Sequence, residues 1–291
     1  MTTLTHPADR LYAAIDSIGS PVCVGLDPVL EKLPSALSGR SGVGRIESFS
    51  LGIIEAVRGL IPCIKFQSAC YERFGHEGLR VLEVAMAAAR EAGMCTILDA
   101  KRGDIGVSAE HYEAALVGHY RADWTTVSPY LGMDTVVPFL RTAGAFALVR
   151  TSNPGSDLLQ GLLTAGGATI AERVADLVAA EGNSRVGACG YSSLGAVVGA
   201  TKVRDIDALR KRMPAQIFLV PGYGAQGGTI SDVLPCFHAD GRGALISASR
   251  SVIYPGVSGL DWRSSVRRAA NDFASEISAA LAPAGARPSH A

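Results

Sequence analysis

Apolar and polar positions along this chain fall into two alternating kinds of segment. Short β-rich runs recur from one end to the other: VCVGLD (22–27), CIKFQ (63–67), CTILDAK (95–101), WTTVSPY (124–130), AFALVRTS (145–152), VGACGY (186–191), QIFLVPGYG (216–224) and GALISAS (243–249). Each is too short to be a helix and reads as a buried strand. Most of the gaps carry helical spacing. In 77–92, Leu79, Leu82, Met86 and Ala89 share one stripe, and in 262–281 so do Trp262, Val266, Ala270, Phe273, Ile277 and Leu281. Strands alternating with helices predict a parallel sheet, and eight such units predict a closed (β/α)8 barrel. One catalytic domain is expected over 1–281, with a flexible tail, APAGARPSHA, over 282–291. An open doubly wound sheet is the alternative, but no G-x-G-x-x-G follows the first run.

Two segments depart from the rhythm. Residues 28–47 are rich in Pro, Gly and Ser, and 153–183 form a long connection after the fifth run. Its start, NPGSDLLQGLLTAGG, is a candidate lid, and ATIAERVADLVAA reads as the helix that follows.

Composition narrows the class. The 27 Lys and Arg balance the 27 Asp and Glu, so no basic field invites nucleic acid. The six cysteines form no C-x-x-C pair and sit mostly in apolar runs, which fits small buried side chains in a reducing compartment. The six histidines are scattered without metal-ligand spacing, so no zinc is expected. The start, MTTLTHPADRLYAAI, lacks a charged region followed by an apolar core, and no stretch of 18 residues is uninterruptedly apolar. The expectation is a soluble cytoplasmic protein with no membrane partner.

Barrel enzymes carry their chemistry at the C-terminal ends of the strands. Here those ends are polar: Asp27, Lys65, Asp99 with Lys101, then Thr151 and Ser152, then PGYGAQGG, then Ser249 and Arg250. Taken singly, each has a plain reading. Asp27 before Pro28 can start a turn, Asp99 and Lys101 can be a structural ion pair, and PGYGAQGG can be an ordinary loop. Lys65 inside CIKFQ is different, because a charge in a buried strand is costly unless paired. Taken together, the lysines and acids meet at one rim. The glycine-rich loop after the seventh strand, with Gln226 and the fork of Arg250 nearby, suits a phosphate. Carboxylates could hold Mg²⁺, but interleaved ammonium groups already neutralise them, so no metal is expected.

These motifs, DAKRGDI (99–105), VGLD (24–27), IKFQ (64–67), TSNPG (151–155), PGYGAQGG (221–228) and Arg250, stand in the order found in the orotidine 5'-phosphate decarboxylases, which the chain resembles from residue 24 to 250. The long connection after the fifth strand resembles the longer bacterial branch. The resemblance implies a cofactor-independent homodimer that converts orotidine 5'-monophosphate to UMP and CO2, the last step of de novo pyrimidine synthesis. It implies that Lys101 gives the proton to C6 and that Asp99 faces the substrate carboxylate. Asp104, with Ile105 beside it, would reach in from the neighbouring subunit. Asp27 and Lys65 would contact the ribose and extend the charge network. Ser152 would contact the pyrimidine, and Pro221, Gln226 and Arg250 would form the loop and phosphate grip. Two positions depart from the usual family residues. Ser108 replaces a Thr but keeps a hydroxyl, and Ser249 replaces a Gly but keeps the backbone N–H. The competing readings are a Mg²⁺-dependent sugar-phosphate lyase of the same superfamily and a non-catalytic nucleotide-binding barrel.

Overall fold

The structure is a computed structural model that describes residues 6–224, 226–256 and 261–282. The expected tail lies, apart from Ala282, outside the described residues. Eight parallel strands close into a barrel in sequence order: β1 (Val22–Leu26), β2 (Cys63–Gln67), β3 (Cys95–Arg102), β4 (Trp124–Val127), β5 (Gly144–Arg150), β6 (Leu194–Val198), β7 (Phe218–Pro221) and β8 (Ala244–Ala248). Closure is made by β8 against β1, with Cys23 opposite Ser247.

One strand is misplaced by the hydrophobic pattern. The sixth strand is Leu194–Val198, not 186–191. VGACGY is a tight turn: Val186 bridges Ser192 in antiparallel sense, Gly187 N donates to Tyr191 O at 2.9 Å, and Gly190 has φ 84°. Of its apolar residues Tyr191 joins the floor of the barrel, with half-buried Cys189 against it, while Val186 is exposed. Asp9, in the first turn of helix Pro7–Ile18, accepts from Ala188 N at 3.1 Å and Cys189 N at 2.7 Å, and Tyr191 packs on Tyr12.

The helices follow the expected periodicity with small shifts. Helix Gly75–Glu91 buries Val81, Leu82, Ala85, Met86 and Ala89, while Leu79 falls at the edge of that stripe and is exposed. Helix Trp262–Leu281 buries Val266, Ala270, Phe273 and Ile277. Helix Ile170–Gly182 begins at a capping box, in which Thr169 and Glu172 each satisfy the other's backbone N–H.

Alternation along the strands separates two cores. Outward residues such as Val24, Ile64, Phe66 and Leu98 pack under the helices. Inward residues fill the lower barrel: Cys23, Cys63 and Cys95 lie side by side in register, and Trp124 stacks on Phe146. Leu11, Tyr12 and Ile15 of the first helix plug the bottom. Each fully buried side chain of this size contributes about 1.5–3 kcal/mol relative to exposure. A lower barrel filled with apolar side chains leaves the upper end as the place for polar chemistry.

Candidate active site

One step of two residues up each strand, the inward positions change character. Cys63 is followed by Lys65 and Gln67, Ile97 by Asp99, and Trp124 by Thr126. Register then brings them together, since Lys65 is paired with Gly25 across β1 and β2, and Gln67 with Asp99 across β2 and β3.

The result is a row of alternating charge. Lys65 Nζ lies 3.7 Å from Asp27 Oδ1 and 2.8 Å from Asp99 Oδ2, and Lys101 Nζ lies 2.5 Å from Asp99 Oδ1. Gln67 Nε2 donates to Asp99 Oδ2 at 3.3 Å, and Thr126 Oγ1 donates to Asp99 Oδ1 at 2.8 Å. Four donors therefore hold one carboxylate. Lys65 and Asp99 are buried, while the Lys101 side chain is 44% exposed toward the cavity. Burial alone would raise the Asp99 carboxyl, but Lys65 and then Lys101 overcome it and hold it well below the ordinary carboxylate range. Burial would likewise strip the proton from Lys65, and Asp27 and Asp99 more than offset it, so its ammonium is held more firmly than an ordinary lysine's.

Lys101 sits in an uncommon backbone state. Its φ is 48°, and among the described residues only Arg121 is another non-glycine with positive φ. Such a conformation costs about 1–2 kcal/mol and persists only where neighbours enforce it.

This row forms one wall of a cavity of about 480 Å³. The opposite wall comes from β5, β7 and β8: Ser152, Pro221, Gln226, Ser249 and Arg250 all line it. Gly222, at φ 101°, turns the chain after β7, and a Cβ there would press on Gln226 Oε1 at 3.2 Å. Gly25 lets β1 approach β8, because a Cβ on it would meet the Ser249 Cβ at 2.9 Å. Two buried oxygens at the cavity, Asp27 Oδ1 and Ser249 Oγ, have no hydrogen-bond partner among the described residues. Asp27 Oδ1 can accept from a hydroxyl of a bound molecule, and the Ser249 hydroxyl can donate to a phosphate oxygen.

The connection after β5 is anchored. Arg150 is buried and donates to Asp205 Oδ2 at 2.6 Å, Asp157 Oδ1 at 2.5 Å and Ser156 Oγ at 3.0 Å. Gln160 Oε1 accepts from Thr151 N at 2.9 Å, which seats the segment beside Ser152.

Of the expected site residues, Asp27, Lys65, Asp99, Lys101, Ser152, Pro221, Gln226, Ser249 and Arg250 converge on the cavity. Asp104, Ile105 and Ser108 do not line it. Asp104 Oδ1 accepts from Ile105 N at 2.8 Å, and Ile105 is 63% exposed at the start of helix Gly106–Glu113. Sequence reasoning missed Gln67, Thr126 and Gln160, which also line the cavity. The first two stand two residues beyond Lys65 and Trp124, so the strand period itself would have marked them. Among the described residues no group of three or more His, Cys, Asp or Glu is arranged to hold a metal ion.

A closed parallel barrel with alternating ammonium and carboxylate groups at the C-terminal ends of β1 to β3 is a (β/α)8 enzyme scaffold with its site in the usual place. Residues 20–256 match the Orotidine 5'-phosphate decarboxylase / HUMPS family, and the chain belongs to that family. It is 44% identical over 266 residues to an orotidine 5'-phosphate decarboxylase of Rhodopirellula baltica, spanning 85% of this chain and 88% of that one. Identity to the Deinococcus radiodurans enzyme of the same name is 40%, over 89% of this chain and 92% of the relative. The solved structure of Leishmania donovani OMP decarboxylase superposes with a TM-score of 0.79 at 31% identity, covering 95% of this chain and 99% of that one.

Proposed function

We infer that this chain is a cofactor-independent carboxy-lyase that converts orotidine 5'-monophosphate to UMP and CO2 in pyrimidine biosynthesis. The observation that carries the reading is the unbroken row Asp27–Lys65–Asp99–Lys101 sharing one cavity with Gln226 of the glycine-rich loop after β7 and with Arg250.

The chemistry follows from that row. The bond from C6 of the pyrimidine to its carboxylate breaks, CO2 leaves, and the electron pair remains on C6. The Lys101 ammonium stabilises that pair and then gives C6 a proton, which solvent returns to the amine. Asp99 holds the ammonium at one end, and Lys65 holds Asp99 ionised at the other. Asp27 Oδ1 is placed for a ribose hydroxyl, and Ser152 for the pyrimidine edge. Gln226, Ser249 and Arg250 take the phosphate, whose binding energy orients the ring.

The protein works as a cytoplasmic homodimer in this reading. Asp104 does not line its own chain's cavity, and beside it in the chain Ile105 and Val107 leave large apolar side chains exposed, as a subunit contact requires. Across that contact Asp104 reaches the partner's Lys101, with Ile105 and Ser108 beside the substrate. All six cysteines are free, in keeping with a reducing compartment.

The test is loss of orotidine absorbance on mixing the protein with orotidine 5'-monophosphate in EDTA. Full turnover supports the reading, and turnover that requires added Mg²⁺ would point to a sugar-phosphate lyase instead.

A further inference from the structure

β3 and β4 fall out of register at the site. Leu98 is paired with Thr125 and Arg102 with Val127, so Asp99, Ala100 and Lys101 all stand opposite the single residue Thr126. This is a bulge of two extra residues, and bulges re-aim side chains at the cost of the regular ladder. Lys101 is the residue that carries the strain, at φ 48°.

Thr126 fills the gap with its side chain. Its hydroxyl accepts from Lys101 N at 3.0 Å and donates to Asp99 Oδ1 at 2.8 Å, and the residue is 1% exposed. The directions are fixed by chemistry. A backbone N–H can only donate and a carboxylate only accept, so the one hydroxyl proton must go to Asp99. Lys101 Nζ reaches the same oxygen at 2.5 Å. Backbone and side chain of Lys101 are thus tied into one closed ring through Thr126 and Asp99.

We propose that Thr126 is a positioning residue for decarboxylation, and that its hydroxyl holds Lys101 in the left-handed backbone state that aims the ammonium at the reacting carbon. This rests on the decarboxylase reading and adds a residue to it. Without the hydroxyl, Lys101 can relax toward the ordinary extended region, and its ammonium leaves the aligned position. Misplacement of a reacting group by about 1 Å costs on the order of 100-fold in rate. The phosphate grip lies on the opposite wall and is untouched.

The test compares Thr126→Val, which keeps the shape and removes the hydroxyl, with Thr126→Ser, which keeps the hydroxyl and removes the methyl. Thr125→Val is the control. Thr125 Oγ1 donates to Leu98 O at 3.0 Å, a buried hydroxyl one residue away with no part in the site. Single-turnover rates and KM are measured with orotidine 5'-monophosphate. The expected result is a fall of about 10- to 100-fold in the rate for Thr126→Val with KM within about threefold. Thr126→Ser should recover to within about threefold of wild type, and Thr125→Val should lose thermal stability without losing rate. Equal rates for Thr126→Val and wild type would overturn the assignment, as would a Ser variant as slow as the Val variant. Wild-type protein that fails to decarboxylate would overturn the underlying reading instead. A crystal structure of Thr126→Val then decides the positioning claim alone: Lys101 leaving the left-handed region supports it, and Lys101 unmoved refutes it. If Thr126→Val does not fold, Thr126→Cys takes its place, with the same expected loss and the same criteria.

Discussion

Lys65 and Lys101 bind the same carboxylate from opposite sides, Lys65 on Asp99 Oδ2 at 2.8 Å and Lys101 on Oδ1 at 2.5 Å. Two ammonium groups sharing one acid would leave a surplus of positive charge, and Asp27, 3.7 Å beyond Lys65, balances it. A buried row of this kind is poor value as a stabiliser, because desolvation consumes most of the attraction. Its use is to fix one cation, Lys101, at the open end of the row.

The row makes acid stability depend on Asp99. Its folded carboxyl is held well below the ordinary range by Lys65 and Lys101, against the opposing effect of burial. A depressed folded value contributes stability above the unfolded pKa of about 3.9, and that stability is lost as pH falls below it toward the folded value. Thermal unfolding of wild type followed from pH 7 to pH 3 should therefore steepen below about pH 4. Asp99→Asn should be less stable at pH 7 and show a shallower acid limb. Parallel acid limbs would show that Asp99 is not held ionised by its neighbours.

Arg250→Ala should raise KM and lower kcat/KM by about tenfold or more, since a charged hydrogen bond is worth about 1.5–3 kcal/mol. Steady-state kinetics with orotidine lacking its phosphate provide the check. There the variant should match wild type, and an equal loss on both substrates would remove Arg250 from the phosphate grip.

Much of this architecture is legible in the sequence, and the failures have physical causes. Seven of the eight strands stand where short apolar runs predicted them, because a strand covered by helices outside and packed inside must be apolar throughout. VGACGY imitated such a run because the barrel floor also needs apolar cover, over Tyr12. The charged site residues were visible as charges at strand ends. The strand period marks Thr126 only as an inward position two residues beyond Trp124, and its role comes from a register shift that no local pattern announces. The Arg150 clamp was hidden for a similar reason. Its partners Asp157 and Asp205 lie 7 and 55 residues away, and only the closed barrel brings them together.

That clamp predicts the behaviour of the segment after β5. Arg150→Met should leave the barrel folded, with a loss of about 1–3 kcal/mol, small because both acids still reach water. Amide hydrogen exchange across 153–163 should accelerate and KM should rise, since Ser152 and Gln160 line the cavity. Unchanged exchange in that segment would show that Arg150 does not anchor it.

Mixed dimers test where Asp104 acts. Lys101→Ala and Asp104→Ala proteins should each be nearly inactive alone. After subunit exchange at equal amounts, about half the dimers are mixed and each of these has one intact site, so about a quarter of all sites recover. Activity should rise toward that fraction. Demonstrated exchange with no recovery would place Asp104 in its own chain's site.

The central claim is that the Lys101 ammonium stabilises and then protonates the carbon that loses CO2. Turnover of orotidine 5'-monophosphate by Lys101→Ala, beside wild type in EDTA, tests it most directly, with UMP binding measured on the same samples. The account predicts a folded variant that binds UMP and decarboxylates slower by on the order of 1,000-fold or more, the combined loss of a fixed charge and a proton donor. Turnover within about tenfold of wild type would contradict it, because no single group worth so little can be the charge on which the reaction depends.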